Sequence, residues 1–585
     1  MNTYPLIRNR WSNEHLLTVL FIVVSLYQLP DWMHSPAAIP GYILVAAAAL
    51  LLDAALNLLR YKRPVCSVSA AVTAAVLYPL IKSLPGWAGL LGIAAALIIG
   101  KHTWGGTGKN IFNPAVIGMF MLSIFFPLGF PIFEPSDMLL PALLLSIPFI
   151  CVRIFPGIGL LAGMLLLLLV RNSLDYSAII SYGIIFWSCV VITDPVTSTD
   201  KPVAGIIAGF MAGFLPLYFN NSLFAFTAAI LLFNGVSFLL NSFSRKNTGV
   251  SLSGIRIKPP ARAAGNNIEM TDFTGKQPGM ECDSEYTDRE SIFEHIRRND
   301  VFGMGGAGFP VIEKLEAVTR SGAKEKYLII NGMECDPGLI HDKWLMKNRQ
   351  LEIAKGAAVL GKLVEFKKIY CITKEKDGFS LPEPVEMYPL PDRYPYGAER
   401  LFVEKLLGIS IPNNSNPAQY GVLVLNIQTV LSVYEAVCCD EKADTRFLTV
   451  ADLFDGTNRV VRVKLEERIG DIVNKTVGSK GMTFVGGGIM QARAAAADEV
   501  VGKKINFIAV GMLPKYKESP QCINCGLCKL CCPMGLEVVK IADLVEEGRA
   551  LEAQAFNSGS CISCGICSYV CMAGRNLSGR LAKRS

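Results

Sequence analysis

Eight cysteines near the end of the chain have the spacing that binds iron–sulfur clusters. Two runs of the form CxxCxxCxxxC contain them, and Pro533 follows the first run. Two-residue gaps let consecutive thiolates bind neighbouring corners of one cubane, while the fourth cysteine of each run normally ligates the other cluster. We therefore expect two [4Fe-4S] clusters, one on Cys522, Cys525, Cys528 and Cys571 and one on Cys561, Cys564, Cys567 and Cys532.

The spacing disfavours two other interpretations of these cysteines. A structural zinc site needs only four ligands and gains nothing from a duplicated four-cysteine run. A secreted disulfide framework is also disfavoured, because nine of the 17 cysteines are concentrated between Cys522 and Cys571 in short ligand spacings. The ninth member of that group, Cys531, is predicted to pack rather than to bind iron.

A glycine-rich segment, GMGGAGFP at residues 303–310, precedes the predicted helix VIEKLEAVTR. Glycines at a helix start let backbone N–H groups approach a phosphate or a flavin ring without side-chain clashes. The segment does not fit the dinucleotide-binding fingerprint, because no strand-turn-helix GxGxxG unit surrounds it. Three later segments, KYLIINGMECDPG, YPYGAER and VLVLNIQT, add polar and turn residues: Asn331, Glu334, Asp336, Tyr394, Gly397, Glu399, Asn426 and Thr429.

The elements that must position these residues divide into two unlike halves near Ser244. The first half consists of apolar runs centred near residues 22, 49, 75, 93, 120, 145, 165, 185, 210 and 233, which predict about ten spans of a bilayer. The second half has an ordinary mixed-charge composition, so the mean hydropathy of +0.38 over 585 residues is an average of two kinds of sequence. The net charge of +7 comes without a basic stripe, which argues against nucleic acid as a partner.

The distribution of lysine and arginine predicts the orientation of the spans, because both concentrate on the cytoplasmic side. With the N-terminus inside, the outer segments contain only Lys82 and Arg171, and an even number of spans returns the second half to the cytoplasm. The N-terminal sequence has no cleavable signal pattern, so the first apolar run should remain as an anchor. We expect a multi-pass membrane protein with both termini in the cytoplasm.

Two inner-side segments, residues 101–116 and 192–205, interrupt the apolar pattern with glycine, proline, threonine and aspartate. They fit either unwound helices that line a cavity, one in each half of a five-plus-five repeat, or two tight cytoplasmic turns. In the first case their helix N-termini are candidates to hold a flavin phosphate. Asp53, inside the second predicted span, fits either an ion path or a pairing with Arg60 near the interface.

The strings GGTGKNIFNPA and TDPVTS, within residues 10–245, resemble the RnfD and NqrB family of membrane subunits from Rnf and sodium-pumping NADH:quinone oxidoreductase complexes. The resemblance implies ten spans, a bacterial inner membrane and a flavin in the membrane half. Members usually esterify FMN to the threonine of an S/T-G-A-T motif. No such motif occurs in this chain, so we expect a flavin there to be non-covalent or absent.

From about Gly254 to residue 575, the chain resembles the RnfC subunit and the FMN- and NADH-binding subunit of respiratory complex I. The resemblance implies that Phe309, Glu334 and Glu399 face the nicotinamide nucleotide. It also implies a β-grasp insert at residues 446–500 and a two-cluster module similar to bacterial ferredoxins. The residues that would contact non-covalent FMN are Gly303, Gly305, Gly306, Gly308, Lys314, Asn331, Asp336, Gly397, Asn426 and Thr429.

Together these patterns predict a multidomain chain. A polytopic all-α membrane domain of about ten helices (residues 1–245) precedes an α/β FMN/NADH-binding domain (246–445), a β-grasp, SLBB-like domain (446–515) and a helical two-cluster ferredoxin-like module (516–585). The predicted function is an oxidoreductase subunit that transfers electrons between NADH or ferredoxin and other membrane subunits of an Rnf-like, ion-translocating complex. Two alternatives remain open: a transporter or sensor gated by a cytoplasmic redox domain, and an electron-conducting scaffold without a nucleotide site.

Overall fold

The computed structural model describes most of the chain. The described residues are 5–6, 12–62, 67–128, 154–170, 186–194, 196–199, 201–218, 223–242, 255, 257, 262–263, 268–275, 288–306, 308–334, 336–375, 378–412, 415–478, 481–496, 498–512 and 522–582. The predicted span centres near residues 145 and 185, and the stretch where an S/T-G-A-T motif would fall, lie outside or at the edge of these ranges.

Apolar helices make up the first half, and each remaining predicted span centre falls within one of them. The helices are α1 (Asn13–Leu26), α2 (Leu29–His34), α3 (Ala38–Tyr61), α4 (Val68–Ile81), α5 (Gly86–Leu97), α6 (Pro114–Phe125), α7 (Ile154–Val170), α8 (Pro202–Tyr218) and α9 (Leu223–Ser242). Two of them, α3 and α9, are long and apolar enough to cross a membrane. The count of ten spans therefore stays a prediction.

Helix α8 packs against α7 at very short range because glycines face the partner backbone. A β-carbon at Gly159 would lie 2.1 Å from the carbonyl oxygen of Ile206, and one at Gly209 would lie 2.3 Å from that of Pro156. Small residues four apart allow helices in membranes to approach this closely and to gain contact area. The second half of the membrane bundle is thus built around a backbone-to-backbone contact.

A π-helical turn, Ile98–His102, overlaps the start of the first interrupted segment, and another, Trp187–Val191, ends directly before the second. The described residues between each turn and the next helix, α6 from Pro114 or α8 from Pro202, are not helical. Such widened turns leave backbone groups free of the regular helical ladder. The two segments meet where the Asn113 side-chain amide donates to Asp194 over 3.3 Å.

In the second half, a four-stranded parallel sheet carries the predicted flavin residues. Its order is β5 (Val385–Leu390), β4 (Lys368–Lys374), β3 (Tyr327–Asn331) and β6 (Val422–Asn426). The associated helices are α10 (Arg289–Arg298), α11 (Val311–Arg320), α12 (His341–Asn348), α13 (Gln350–Leu363), α14 (Glu399–Leu407) and α15 (Ile427–Cys438). Parallel strands are usually continuous apolar runs in the sequence, because helices cover both faces of such a sheet.

A second, mixed sheet follows. It consists of β7 (Thr445–Asp452), β8 (Thr457–Lys464), β9 (Met482–Gly486), β10 (Arg493–Ala494) and β11 (Phe507–Gly511), with helix α16 (Ile469–Thr476) packed on it. Two short strands from much earlier in the chain, β1 (Arg262–Ala263) and β2 (Met270–Asp272), pair with β8. The predicted boundary at residue 446 therefore separates strands that share one sheet.

The last described range, residues 522–582, contains short helices around the cysteine runs. They are α17 (Leu527–Leu530), α18 (Val538–Glu546), α19 (Ala550–Gln554), α20 (Ile566–Tyr569) and α21 (Leu577–Ala582). Their core includes Ile541 and Leu577 and extends to Leu6 from the start of the chain, whose N–H donates to the Ile489 carbonyl. The N-terminal segment is thus bound to the second half at two points, because the Asn13 N–H also donates to the Met572 carbonyl.

Candidate functional site

The two cysteine runs fold so that each cavity receives three thiols from one run and the fourth from the other. One cavity is lined by the first cysteine set, Cys522, Cys525, Cys528 and Cys571. A second is lined by the second cysteine set, Cys532, Cys561, Cys564 and Cys567. This is the partition that the sequence predicts, and all eight thiols are free of disulfides.

The backbone repeats itself around the two cavities. In the first run Asn524 and Gly526 adopt left-handed conformations, with φ of 49° and 77°, and in the second run Ser563 and Gly565 do so, with φ of 55° and 78°. These conformations turn the chain between ligand positions at the same step of each run. A β-carbon at Gly565 would lie 2.7 Å from the Met490 carbonyl oxygen, so glycine is also needed there for packing.

The buried thiols of both cavities are poor candidates for free thiolates. Burial, then the neighbouring thiols of the same set, raises the pKa of Cys528 and of Cys567 well above the usual value. Burial raises the pKa of Cys564 to about 12. Four thiols in such a cavity cannot ionise together unless a metal supplies positive charge, and a coordinated thiol is then deprotonated outright. The donor sets therefore fit sulfur-ligated metal clusters.

The glycine-rich segment lies against the carboxyl end of β6. The Met304 N–H donates to the Thr429 hydroxyl over 2.8 Å, and a β-carbon at Gly305 would lie 3.2 Å from that of Asn426. Gly306 and Gly308 have φ of 104° and 66°, which side chains other than glycine rarely adopt. The segment also closes on itself, because the Gly303 N–H donates to the Phe309 carbonyl over 2.7 Å.

The other predicted flavin residues converge on the same edge of the sheet. The Asn331 side chain at the end of β3 donates to the Gly397 carbonyl over 3.0 Å. The Lys314 ammonium, from α11, donates to the Val424 carbonyl over 3.1 Å and lies 3.5 Å from Glu399. Carboxyl ends of parallel strands are the usual place for a cofactor in an α/β sheet.

Two predicted acidic residues point into the protein instead. Glu334, at φ of 36°, accepts hydrogen bonds from the N–H groups of Asp342 and Lys343 at the start of α12, over 2.7 and 3.1 Å. Asp336 accepts from the N–H groups of Ile489 and Met490, over 2.7 and 3.3 Å. Burial raises the pKa of Asp336 to about 7. In this structure both carboxylates connect backbone segments.

Sequence reasoning missed a buried polar group beneath the flavin residues. The Asp342 carboxylate accepts from the Asn426 side chain over 2.8 Å, and His341 and Arg446 lie beside it. Burial raises the pKa values of Glu334 and Asp342 and lowers that of His341 to about 3. The only sequence signal was the string HDK after the acidic loop, and nothing in it indicates burial.

Tyr394 connects the flavin-side turn to the second cysteine set. It begins the YPYGAER turn that also carries Gly397 and Glu399, and its buried hydroxyl donates to the Cys564 carbonyl over 2.6 Å. The sequence placed Tyr394 with the flavin residues but gave no sign of this contact. This seven-residue turn therefore contacts both candidate cofactor sites.

The first cysteine set lies against the membrane half. The Gly108 backbone approaches the Cys522 carbonyl so closely that a β-carbon at Gly108 would overlap it. A cavity of about 140 Å³ extends from Cys525 and Ile523 into the bundle, lined mainly by apolar side chains of α1 and α4 and by both interrupted segments. Residues of both interrupted segments line this cavity, which favours the cavity-lining alternative over two tight turns.

A buried ionic group contributes one residue, Lys101, to the lining of this cavity. Asp53 accepts from the Lys101 ammonium and the His102 Nε2, each over 2.8 Å, and from Asn57 over 3.0 Å. Lys101 also donates to Ser69 over 2.9 Å. The ionisable partners of Asp53 among the described residues are thus Lys101 and His102 rather than Arg60.

Comparison with known proteins gives matches for both halves. The NQR2, RnfD, RnfE family matches residues 2–147, and the Nuo51 FMN-binding domain matches residues 296–435. Together they account for about half of the chain, with the C-terminal cysteine runs outside both.

Curated relatives are named as the C subunit of an ion-translocating oxidoreductase complex. The protein from Pseudomonas aeruginosa is 30% identical over 264 residues, which are 42% of this chain and 33% of the relative. That from Haemophilus influenzae is 26% identical over 266 residues, 42% of this chain and 40% of the relative. This chain thus spans about a third to two fifths of the length of these relatives.

Two crystal structures of an NAD⁺-reducing [NiFe]-hydrogenase, air-oxidised and H₂-reduced, overlap 45% and 48% of this chain at 16% and 15% identity. They cover 55% and 53% of the hydrogenase chain, with TM-scores of 0.34 and 0.35, which are too low to support an argument about the fold. The family matches are the informative result. The chain is therefore a fusion of an RnfD-like membrane part with an RnfC-like part that contains a Nuo51-type FMN-binding domain.

Proposed function

We propose that this chain is a membrane-bound electron-transfer subunit of an Rnf-like, ion-translocating oxidoreductase complex. Electrons would pass between NADH, or ferredoxin in the reverse sense, and other membrane subunits. The two [4Fe-4S] clusters and FMN would carry them within the chain. The complex would lie in the bacterial inner membrane, with both termini and the second half of the chain in the cytoplasm.

The spatial arrangement of the candidate sites is the main support for this proposal. The YPYGAER turn contacts the second cysteine set through Tyr394, and the first cysteine set contacts the membrane half through Gly108. The two sets share one small module, in which Cys528 and Cys567 are close enough to influence each other electrostatically. A continuous route from a flavin site to the membrane interior supports a relay.

The residues proposed to hold FMN are the glycine-rich segment with Lys314, Asn331, Gly397, Asn426 and Thr429. FMN would accept the two electrons of a hydride and release them singly, which clusters require. Gly305 is exposed and leaves room for a planar ring next to Asn426. The Lys314 ammonium supplies positive charge at the same edge of the sheet. Asp336 supports the site indirectly by fixing the loop that follows β9, and Phe309 and Glu399 remain the proposed contacts to the nicotinamide nucleotide.

Further parts of the proposal concern architecture. The membrane domain at residues 1–245 would have about ten spans, as apolar run lengths indicate. It would be followed by the FMN/NADH-binding domain (246–445), the β-grasp domain (446–515) and the ferredoxin-like module (516–585). We also propose a non-covalent flavin in the membrane half. The cavity lined by both interrupted segments is the candidate binding site for it.

A pair of glycine substitutions tests the flavin site. Gly305→Val places a branched side chain against Asn426, where the ring would lie, so we expect the purified full chain to lose most of its bound FMN and its NADH:ferricyanide activity. Gly322→Val is the matched control, because a β-carbon there has no neighbour within 4 Å. Equal FMN content in both variants would contradict the proposed site. Solute flux that does not depend on reductant would instead favour a transporter.

A further inference from the structure

The chain makes the same turn after the last cysteine of each run. Gly535, with φ of 60°, donates its N–H to the Cys532 carbonyl over 3.1 Å, and Gly574, with φ of 68°, donates to the Cys571 carbonyl over 3.0 Å. Left-handed glycines at the same step of both runs give the two turns the same course. The side chains that follow these turns are therefore in equivalent positions, and any chemical difference between them distinguishes the two cavities.

The residues in these equivalent positions are Leu536 after the first run and Arg575 after the second. Leu536 lines the cavity of the second cysteine set, which contains Cys532, and Arg575 lines that of the first set, which contains Cys571. Both side chains are buried, with Leu536 4% and Arg575 9% exposed. Apart from cysteines, Arg575 is the one charged residue among the described residues that line either cavity.

The counter-charges of Arg575 lie on its outer side. Its guanidinium donates to Asp543 over 2.5 Å and to Glu546 over 3.1 Å, and Glu546 is also paired with Arg580. The two carboxylate side chains are 35% and 41% exposed, whereas that of Arg575 is 10% exposed. Water screens exposed charges more strongly than buried ones. The guanidinium, in contrast, interacts electrostatically with two thiols of the first set.

We propose that Arg575 raises the reduction potential of the cluster on the first cysteine set above that of the cluster on the second set. This rests on the proposed function only in requiring a cluster on each set. Reduction adds one negative charge to a cluster, and a buried positive charge beside it stabilises the reduced form. Leu536, in the equivalent position, gives the second cluster no such stabilisation.

This difference in potential gives the relay a direction. The second set contacts the flavin-side turn through Tyr394, and the first set contacts the membrane half through Gly108. One electron leaves the reduced second cluster, which is thereby oxidised, and reduces the first cluster, with no change in bonds or protons. Transfer towards the membrane half is thus favoured at equilibrium, and transfer in the reverse sense requires free energy from elsewhere in the complex.

Mediated redox titration of the purified full chain, followed by electron paramagnetic resonance, tests this proposal without NADH. Cys525→Ser identifies the two signals, because it removes a ligand of the first set only. At one applied potential, the ratio of reduced to oxidised cluster should be at least tenfold higher for the first set, which corresponds to about 59 mV for a one-electron couple. Equal potentials, or the reverse order, would overturn the proposal.

Variants attribute the difference to Arg575. Arg575→Gln keeps a donor to Asp543 but removes the charge, so the tenfold difference should be lost, whereas Arg575→Lys should retain most of it. Arg549→Gln is the matched control, because Arg549 also binds two carboxylates, Glu547 and Glu552, over 2.9 and 2.6 Å. Arg549 is not among the described residues that line either cavity, so this variant should leave both potentials unchanged.

A second variant covers the case in which Arg575→Gln does not fold. Asp543→Asn removes a negative charge next to Arg575, so it should raise the potential of the first-set cluster more than that of the second. A first-set potential that stays the same in Arg575→Gln or in Asp543→Asn contradicts the proposal. Absence of both cluster signals from the unmodified chain contradicts the proposed function instead.

Discussion

At the scale of residues, the division of cysteines between two sets has a direct consequence for metal content. Cys525 belongs to the first set, whereas the half-buried Cys531, six residues later, is not among the described residues that line either cavity. We expect Cys525→Ser to lose roughly half of the bound iron, the content of one of two cubanes. Cys531→Ser should keep all of it. Iron and acid-labile sulfide analysis measures both, and equal losses would contradict the assignment.

A second residue-scale prediction concerns Asp336 and pH. Its carboxyl has a pKa of about 7 in the folded chain, raised by burial from 3.8. The folded state therefore holds a proton that the unfolded state releases, so the stability contributed by Asp336 falls as pH rises from about 4 to 7. Asp336→Asn removes this loss. The free energy of unfolding of the Asp336→Asn variant, minus that of the unmodified chain, should be about 3 kcal/mol higher at pH 8 than at pH 5.

Thermal unfolding of the full chain at the two pH values measures the change. Asp455→Asn, at an exposed position after β7, serves as the control and should follow the unmodified chain at both pH values. A gain for Asp336→Asn that is the same at pH 5 and pH 8 would show that this carboxyl does not titrate between them.

The sequence predicted which residues lie together where the pattern is local. Cysteine spacing predicted the two groups of thiols that share a cavity, and the glycines predicted the segment that meets Asn426 and Thr429. It failed where tertiary contacts decide the direction of a side chain. Glu334 caps α12, and Asp336 binds a loop about 150 residues away. The ionisable partners of Asp53 lie in the first interrupted segment. The apolar pattern shows where this segment is in the sequence, but it does not show which way its side chains point.

At the scale of elements, the docking of the first interrupted segment onto the cysteine module depends on Gly108. A methyl group there would overlap the Cys522 carbonyl, and φ of 85° disfavours any side chain. Gly108→Ala should therefore separate the loop from the module. NADH:ferricyanide activity should remain, while electron transfer to a membrane acceptor should fall at least tenfold.

Gly86→Ala is the matched control, since it lies in the same half and a β-carbon there has no neighbour within 4 Å. Steady-state rates with ferricyanide and with membrane vesicles distinguish the two outcomes. If Gly108→Ala retains full activity with vesicles, the contact is not part of the route.

Helices of the membrane half were predictable because apolar runs are long, continuous signals. The parallel sheet was less visible, although its strands are apolar and end in the polar residues already noted. Pairing of β1 and β2 with β8 was not predictable. Strands of two and three residues carry almost no periodicity, and their partner lies almost 200 residues later.

At the scale of the whole molecule, fusion of the two parts fixes the geometry of electron transfer. The N–H groups of Leu6 and Asn13 donate to the C-terminal half, and Gly108 packs closely against the Cys522 carbonyl, so the first cysteine set cannot leave the membrane half without breaking several contacts. Separate subunits would need an interface to maintain that distance. Here backbone hydrogen bonds within one chain maintain it.

The most direct test of the relay is anaerobic reduction of the purified full chain by NADH, followed by electron paramagnetic resonance. We expect NADH to reduce both cysteine-bound clusters, and Cys525→Ser to leave only the signal of the second set. NADH oxidation with ferricyanide while neither cluster is reduced, or zinc in place of iron at both sets, would contradict the relay.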